Sequence, residues 1–156
     1  TTPDTLRIAA ELLETGIDLP EINRKLFRTV PYHKLMLQAL AVTKARLYED
    51  GRIGVTALTL AEVESCGASA EDTEGIIDSI RDIDTVEIAA MLREAGDGKI
   101  RVSLRGKTCA DVSKIAAAFG GGGHRLAAGC TMAPPIEEAA EQIMRRAVKL
   151  LHGDCE

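Results

Sequence analysis

The sequence predicts an α/β domain, a mixed β-sheet flanked by helices and preceded by a short helical connector. Three observations carry that prediction. Apolar residues recur at helical spacing through the first 44 positions. Short alternating or apolar runs between Arg46 and Met132 are separated by helical stretches. A long amphipathic segment closes the chain. The 156 residues are enough to bury roughly two-thirds of the unfolded surface, so a core can form without staples. Hydrophobic and charged shares of 46% and 28% are those of a globular domain and exclude a disordered tail or a collagen-like rod.

Thr2 can cap a first helix, Pro3 fits its first position, and Asp4 suits the positive end of its dipole. Leu6, Ala9, Ala10, Leu13 and Ile17 line one side, with Gly16 as the stop. Asp18 and Glu21 outline a capping box for a second helix carrying Ile22, Leu26 and Phe27, and Pro31 ends it. A third helix sets Leu35, Met36, Ala39, Leu40 and Val42 on one side. These three read as a connector rather than a self-sufficient bundle. Two strands, 46–49 and 52–58, turn about Asp50-Gly51. Helical stretches follow at 60–65 and from about Ala70 to Ile80, then strands at 85–93 and 99–105 joined by a glycine-bearing reversal. Asp111 to Phe119 reads as a helix ended by four glycines, Ala127–Met132 as a last strand, and 135–151 as a last helix with Ile136, Ala139, Ala140, Ile143, Ala147 and Leu150 inward.

Composition narrows the function. Aromatic residues make up only 3%, Phe27, Phe119, Tyr32 and Tyr48, which argues against a protein that stacks many bases on rings. A formal charge of −5 argues against tracking long stretches of phosphate backbone. Cys66, Cys109, Cys130 and Cys155 show no short metal spacing, so reduced, mostly buried thiols in a cytosolic protein are expected, with no metal site. No signal peptide and no bilayer-length apolar run is present. The chain starts without Met inside a helix-start signal, which reads as a piece of a longer protein.

Charge is uneven. Residues 101–130 hold Arg101, Arg105, Lys107, Lys114 and Arg125 against Asp111 alone, a net of +4 that would steer an anion. Within that island the run 100–105 alternates, Ile100, Val102 and Leu104 to one side and Arg101, Ser103 and Arg105 to the other. That could be a solvated polar face, or a strand that offers a guanidinium to a phosphate. Gly120 is explained as a helix cap. Gly121, Gly122 and Gly123 cost backbone entropy and contribute no packing, so they fit a close approach to a ligand, with successive N–H groups forming an anion nest, or else a flexible loop. The run is neither a P-loop nor a dinucleotide fingerprint. His124 could donate to phosphate, ligate a metal or act as an acid, metal ligation being the weakest because no second histidine or carboxylate pair is near. Arg125 points away from His124 and ranks lower; His33 and His152 look incidental.

Ser103-Leu104-Arg105, Asp111-Val112-Ser113-Lys114-Ile115-Ala116, the run from Phe119 to His124, and Ala127-Ala128-Gly129 together resemble the DHHA1 domain, the C-terminal substrate-binding domain of DHH-family phosphoesterases. The subfamily most similar in motif is the RecJ-like bacterial nanoRNases that also hydrolyse 3′-phosphoadenosine 5′-phosphate (pAp), and the resemblance covers about Leu35 to Met132. It implies that residues 1–30 are a helical connector from an N-terminal DHH domain outside this sequence, and 31–156 the DHHA1-like substrate-binding domain. It implies that Arg105, Gly121, Gly122, Gly123 and His124, with Ser103 beside them, grip the phosphates of a short oligonucleotide or phosphorylated nucleotide. Catalysis and two manganese ions would belong to the DHH domain in cis, where a metal-activated water attacks phosphorus. This chain lacks the Asp-His-His signature and is expected to bind no cofactor and not to hydrolyse alone. Gly106 stands where many relatives carry Ser. A cytoplasmic exoribonuclease with no membrane or protein partner is the leading expectation. A cyclic-dinucleotide phosphodiesterase, or an RNA-binding module like the C-terminal domain of alanyl-tRNA synthetase, is the alternative.

Overall fold

A computed structural model describes residues 1–155. They divide into two compact units, Thr1–Tyr32 and the chain from His33 onward. The first unit contains α1 (Pro3–Glu14) and α2 (Leu19–Phe27). Thr2 caps α1 through a reciprocal box with Thr5, and the Asp18 carboxylate accepts from the Glu21 N–H at the start of α2. Neither helix buries a side chain.

The second unit is built on six strands: β1 (Arg46–Tyr48), β2 (Ile53–Leu58), β3 (Ile88–Glu94), β4 (Ile100–Gly106), β5 (Gly122–His124) and β6 (Ala127–Met132). Their spatial order is β1-β2-β3-β4-β6-β5. Every neighbouring pair is antiparallel except β2 and β3, which are parallel. A parallel pair needs a crossover, here α4 (Leu60–Ser65), a 3-10 turn at Glu71–Thr73 and α5 (Ile76–Arg81). The single helix expected from Ala70 to Ile80 is broken at Gly75, which sits at φ 84 between the 3-10 turn and α5. Glu49, Asp50 and Gly51 all take positive φ in the β1–β2 turn.

One face of the sheet carries Ile53, Val55, Ile88, Ala90, Leu92, Ile100, Val102, Leu104, Ala128, Cys130 and Met132. Against it pack α6 (Ser113–Ala117) and α7 (Ile136–Asp154), which turns Ile136, Ala139, Ile143, Ala147, Leu150 and Leu151 inward. Those positions follow the helical period, and alanines at 139 and 147 let the axis approach the strands. The other face is covered only in part. Leu58, Ala89 and Met91 pack under α3 (Tyr32–Lys44), α4 and α5 through Leu37, Ala41, Val63, Ile76, Ile77 and Ile80. The buried side of α3 is therefore Leu37 and Ala41, while Leu35, Met36 and Val42 are exposed, contrary to the periodicity reading. That helix is apolar on most sides, so its sequence period does not select a face.

The thiols also depart from expectation. Cys109 and Cys155 form a disulfide across 46 residues of sequence, and only Cys66 and Cys130 are free.

Candidate functional site

The strand register organises the second face into rows, because residues paired across a ladder point to the same side. One row runs Gly54, Ala89, Arg105, Ala127, His124. The next runs Thr56, Met91, Ser103, Gly129, Gly122. In both, the β2 and β3 members are small or apolar and lie under helices, whereas the β4, β6 and β5 members are polar or small and lie open. Four of the six expected site residues thus share one face: Ser103, Arg105, Gly122 and His124. Ala127 and Gly129 make a low floor between them.

The last two glycines of the run, with His124, form strand β5 rather than a flexible loop. β5 and β6 form a hairpin around Arg125 and Leu126, closed by the pair His124 and Ala127. The glycines divide by function. A Cβ on Gly121 would lie 2.2 Å from the Gly129 carbonyl oxygen, and one on Gly123 2.6 Å from the Ala127 oxygen, so these two are demanded by strand packing. Gly121 also donates its N–H to the Ala116 carbonyl at 2.9 Å, which removes it from an anion nest. Gly122 has nothing within 4 Å of its would-be Cβ and is exposed. It is the glycine with room for a ligand.

Arg105 is half-buried. Its Nε donates to Asp78 Oδ1 at 3.3 Å, a long contact, while Asp78 is held more closely by Arg81 at 2.7 Å. Its second contact is to the neighbouring Leu104 carbonyl. Much of its fork therefore remains free for two parallel bonds to a phosphate. His124 and the Ser103 hydroxyl have no side-chain partner among the described residues. Arg105, Ser103 and Met91 line a cavity of about 420 Å³ roofed by Thr73, Glu74 and Gly75. A larger cavity of about 610 Å³ lies at β1 and the start of α7, and none of the expected site residues reaches it.

Three further cations of the basic island are structural. Lys107 donates to the Ile83 carbonyl at 2.6 Å, Lys114 pairs with Asp154 at 2.8 Å, and Arg125 donates to the Thr108 and Cys109 carbonyls at 3.2 and 2.8 Å. Arg125 thereby pins the β5–β6 hairpin to the segment after β4. That segment is held in turn by Glu87, whose carboxylate accepts from the N–H groups of Thr108, Cys109 and Ala110 and from the Thr108 hydroxyl. Burial would raise the Glu87 carboxyl, but these bonds outweigh it and hold it below the usual carboxylate range. Glu87 has no motif signal in the sequence. Neither does Arg93, the β3 residue that stands on this face opposite Arg101.

Among the described residues one group of three possible metal donors is close together, Glu87, Cys109 and Cys155. Both sulfurs are in the disulfide and the carboxylate carries four hydrogen bonds, so these residues do not fit a manganese ion, which prefers oxygen ligands. His33 lies 3.2 Å from Asp72 and His152 3.0 Å from Glu49. No helix among the described residues is long and apolar enough to cross a membrane.

A mixed sheet of six strands, helix-covered on one face and half-open on the other, defines an α/β class of domain. The chain belongs to the DHHA1 domain family, whose model matches residues 52–152. It is 35% identical over 146 residues to the bifunctional oligoribonuclease and PAP phosphatase NrnA of Thermus thermophilus, covering 92% of this chain and 43% of that protein. A probable NrnA of Streptococcus mutans is 32% identical over 83% of this chain and 41% of its own length. The chain thus spans about two-fifths of these relatives. Among solved structures, an exopolyphosphatase-related protein from Bacteroides fragilis superposes with a TM-score of 0.86 at 28% identity, covering 97% of this chain and 44% of that one. A pGpG-specific phosphodiesterase, PggH, from Vibrio cholerae shares the fold at a TM-score of 0.60 and 17% identity, over 99% of this chain and 52% of that one.

Proposed function

We propose that this chain is the substrate-clamping part of a DHH phosphoesterase that hydrolyses short oligoribonucleotides and pAp. A manganese-bearing DHH domain in cis performs the hydrolysis, and this chain alone is inactive. The observation that carries the reading is the row that sets Arg105, Ala127 and His124 side by side on the open half of the sheet. A phosphate lying over Ala127 can take two bonds from the Arg105 fork and one from the His124 imidazole. Gly122 lets the ligand lie close to the backbone, and the Ser103 hydroxyl supplies a further donor one row away. The identity to two NrnA proteins supports the substrate class.

Calorimetric titration tests this. The chain should bind pAp and a 5′-phosphorylated dinucleotide, with Arg105→Ala and His124→Ala each weakening binding by about tenfold, the worth of one charge-assisted hydrogen bond. Unchanged affinities in both variants, or no binding by a folded chain, would overturn the assignment.

A further inference from the structure

The third row of the open face runs Leu58, Arg93, Arg101, Thr131. Here the β3 position, apolar in the other two rows, is an arginine placed directly across from a second arginine. Opposed residues in an antiparallel pair bring their Cβ atoms to about 4.5–5.5 Å, and like charges so placed repel. Arg101 is compensated by Asp97 at 2.7 Å and bonded to the Thr131 hydroxyl at 2.9 Å. Arg93 is half-buried and has no hydrogen-bond or ion-pair partner among the described residues. Its carboxylate neighbour Glu94 points to the other side of the strand and accepts from the Leu60 N–H at 2.9 Å. Burial first, and then the Arg101 charge, lower the Arg93 pKa from its ordinary value. A guanidinium taken partly out of water beside a like charge, with no counter-charge, is costly unless something else neutralises it.

We propose that Arg93 and Arg101 form a second phosphate subsite, which takes a phosphodiester of an oligonucleotide whose terminal phosphate is held at Arg105 and His124. The proposal rests on the clamp reading above and gives it a direction and a length. Arg101 and Arg105 are four residues apart on one strand, so the two subsites are separated by about 13 Å. The two phosphates of pAp sit on one ribose and are too close together to occupy both. A chain of several nucleotides can lie along β4 over Ser103 and reach the second pair. Arg93 should therefore discriminate by length, raising affinity for oligonucleotides over pAp.

The test is fluorescence anisotropy competition on this chain with pAp and a 5′-phosphorylated tetranucleotide, at several salt concentrations. Arg93→Met keeps the apolar stem and removes the charge. It should lower the ratio of tetranucleotide to pAp affinity about tenfold and make the salt dependence for the tetranucleotide shallower by a little under one phosphate contact. Arg93→Lys, which keeps the charge, should recover part of the ratio and all of the slope. Circular dichroism melts confirm that each variant is folded. A wild-type chain that binds pAp but gains nothing from the longer ligand overturns the subsite alone. So does an Arg93→Met variant whose ratio and slope match wild type, or one that loses both ligands equally. A folded wild-type chain that binds neither ligand overturns the clamp reading as well.

Discussion

The two halves of the sheet's second face share one hydrogen-bonded ladder and differ in almost everything laid on it. Over β2 and β3, the crossover helices and α3 bury Leu58, Ala89 and Met91, and even the Thr56 hydroxyl is satisfied internally, by the Ala41 carbonyl at 2.8 Å. Among the described residues no helix covers this face of β6 and β5, and α5 and the 3-10 turn before it reach only to Ser103 and Arg105 of β4; the same rows continue as Ser103, Arg105, Ala127, Gly129, Gly122 and His124. The binding half is made by leaving a helix out. Its side chains are then free to be polar, and its floor can be flat because no core needs filling. The neighbouring covered half holds β4 rigid, and the Asp78 carboxylate reaching from α5 steadies Arg105.

The sharpest way to break this contrast is to carry the charge of the third row one strand further inward. Leu58 is fully buried and is the register partner of Arg93. Leu58→Arg should destabilise the chain by about 3–5 kcal/mol, since it leaves a buried charge unpaired and removes core contacts. A melting temperature near wild type would show that the covered half is not a dry core. Next in size is Gly121→Ala. The new methyl meets backbone at 2.2 Å, which cannot move without parting β5 from β6, so about 1–3 kcal/mol should be lost. Hydrogen exchange should quicken across β5 and β6 more than across β2 and β3; uniform exchange would contradict the account.

A pH titration of stability probes the support beneath the open half. The Glu87 carboxyl is lowered in the folded chain, so its contribution is present above the unfolded carboxylate value of about 4.3 and is lost as pH falls through the lower folded value. Glu87→Gln should flatten the acid limb of the stability curve below about pH 4.3 and cost about 1–3 kcal/mol at neutral pH. A limb of unchanged steepness would assign the acid sensitivity to other carboxylates. The smallest effect belongs to Gly122→Ala, where space is open. Stability should stay within about 0.5 kcal/mol of wild type while pAp binding weakens. Equal affinity would move the ligand away from β5.

Much of this was legible in the chain itself. The alternation from Ile100 to Arg105 gave the correct face to each residue of β4, and the spacing of Ile136, Ala139, Ile143 and Ala147 gave the buried side of α7. The motif around Phe119 to His124 pointed to the DHHA1 family, as the family match shows. What escaped is physically of one kind. A run of glycines carries no strand propensity, so β5 could be foreseen only from the equally small Ala127-Ala128-Gly129 that it lies against. Cys109 and Cys155 are joined by the fold and not by local spacing. The charge island counted five cations, yet two of them fasten backbone carbonyls and a third is paired with Asp154, and the cation that completes the open face, Arg93, lies outside it. Net charge along a sequence window records presence; availability depends on which carbonyls and carboxylates the fold brings near.

The disulfide has a consequence for connectivity. Between Cys109 and Cys155 the chain forms a covalent ring that contains α6, the glycine strand, β6 and α7. The exposed peptide around Gly122 lies within that ring, where a protease would find bare backbone. A single cut there would open the ring without releasing a piece. The two products would travel together until a reductant parted them, and the severed edge strand would stay moored to the domain from both sides.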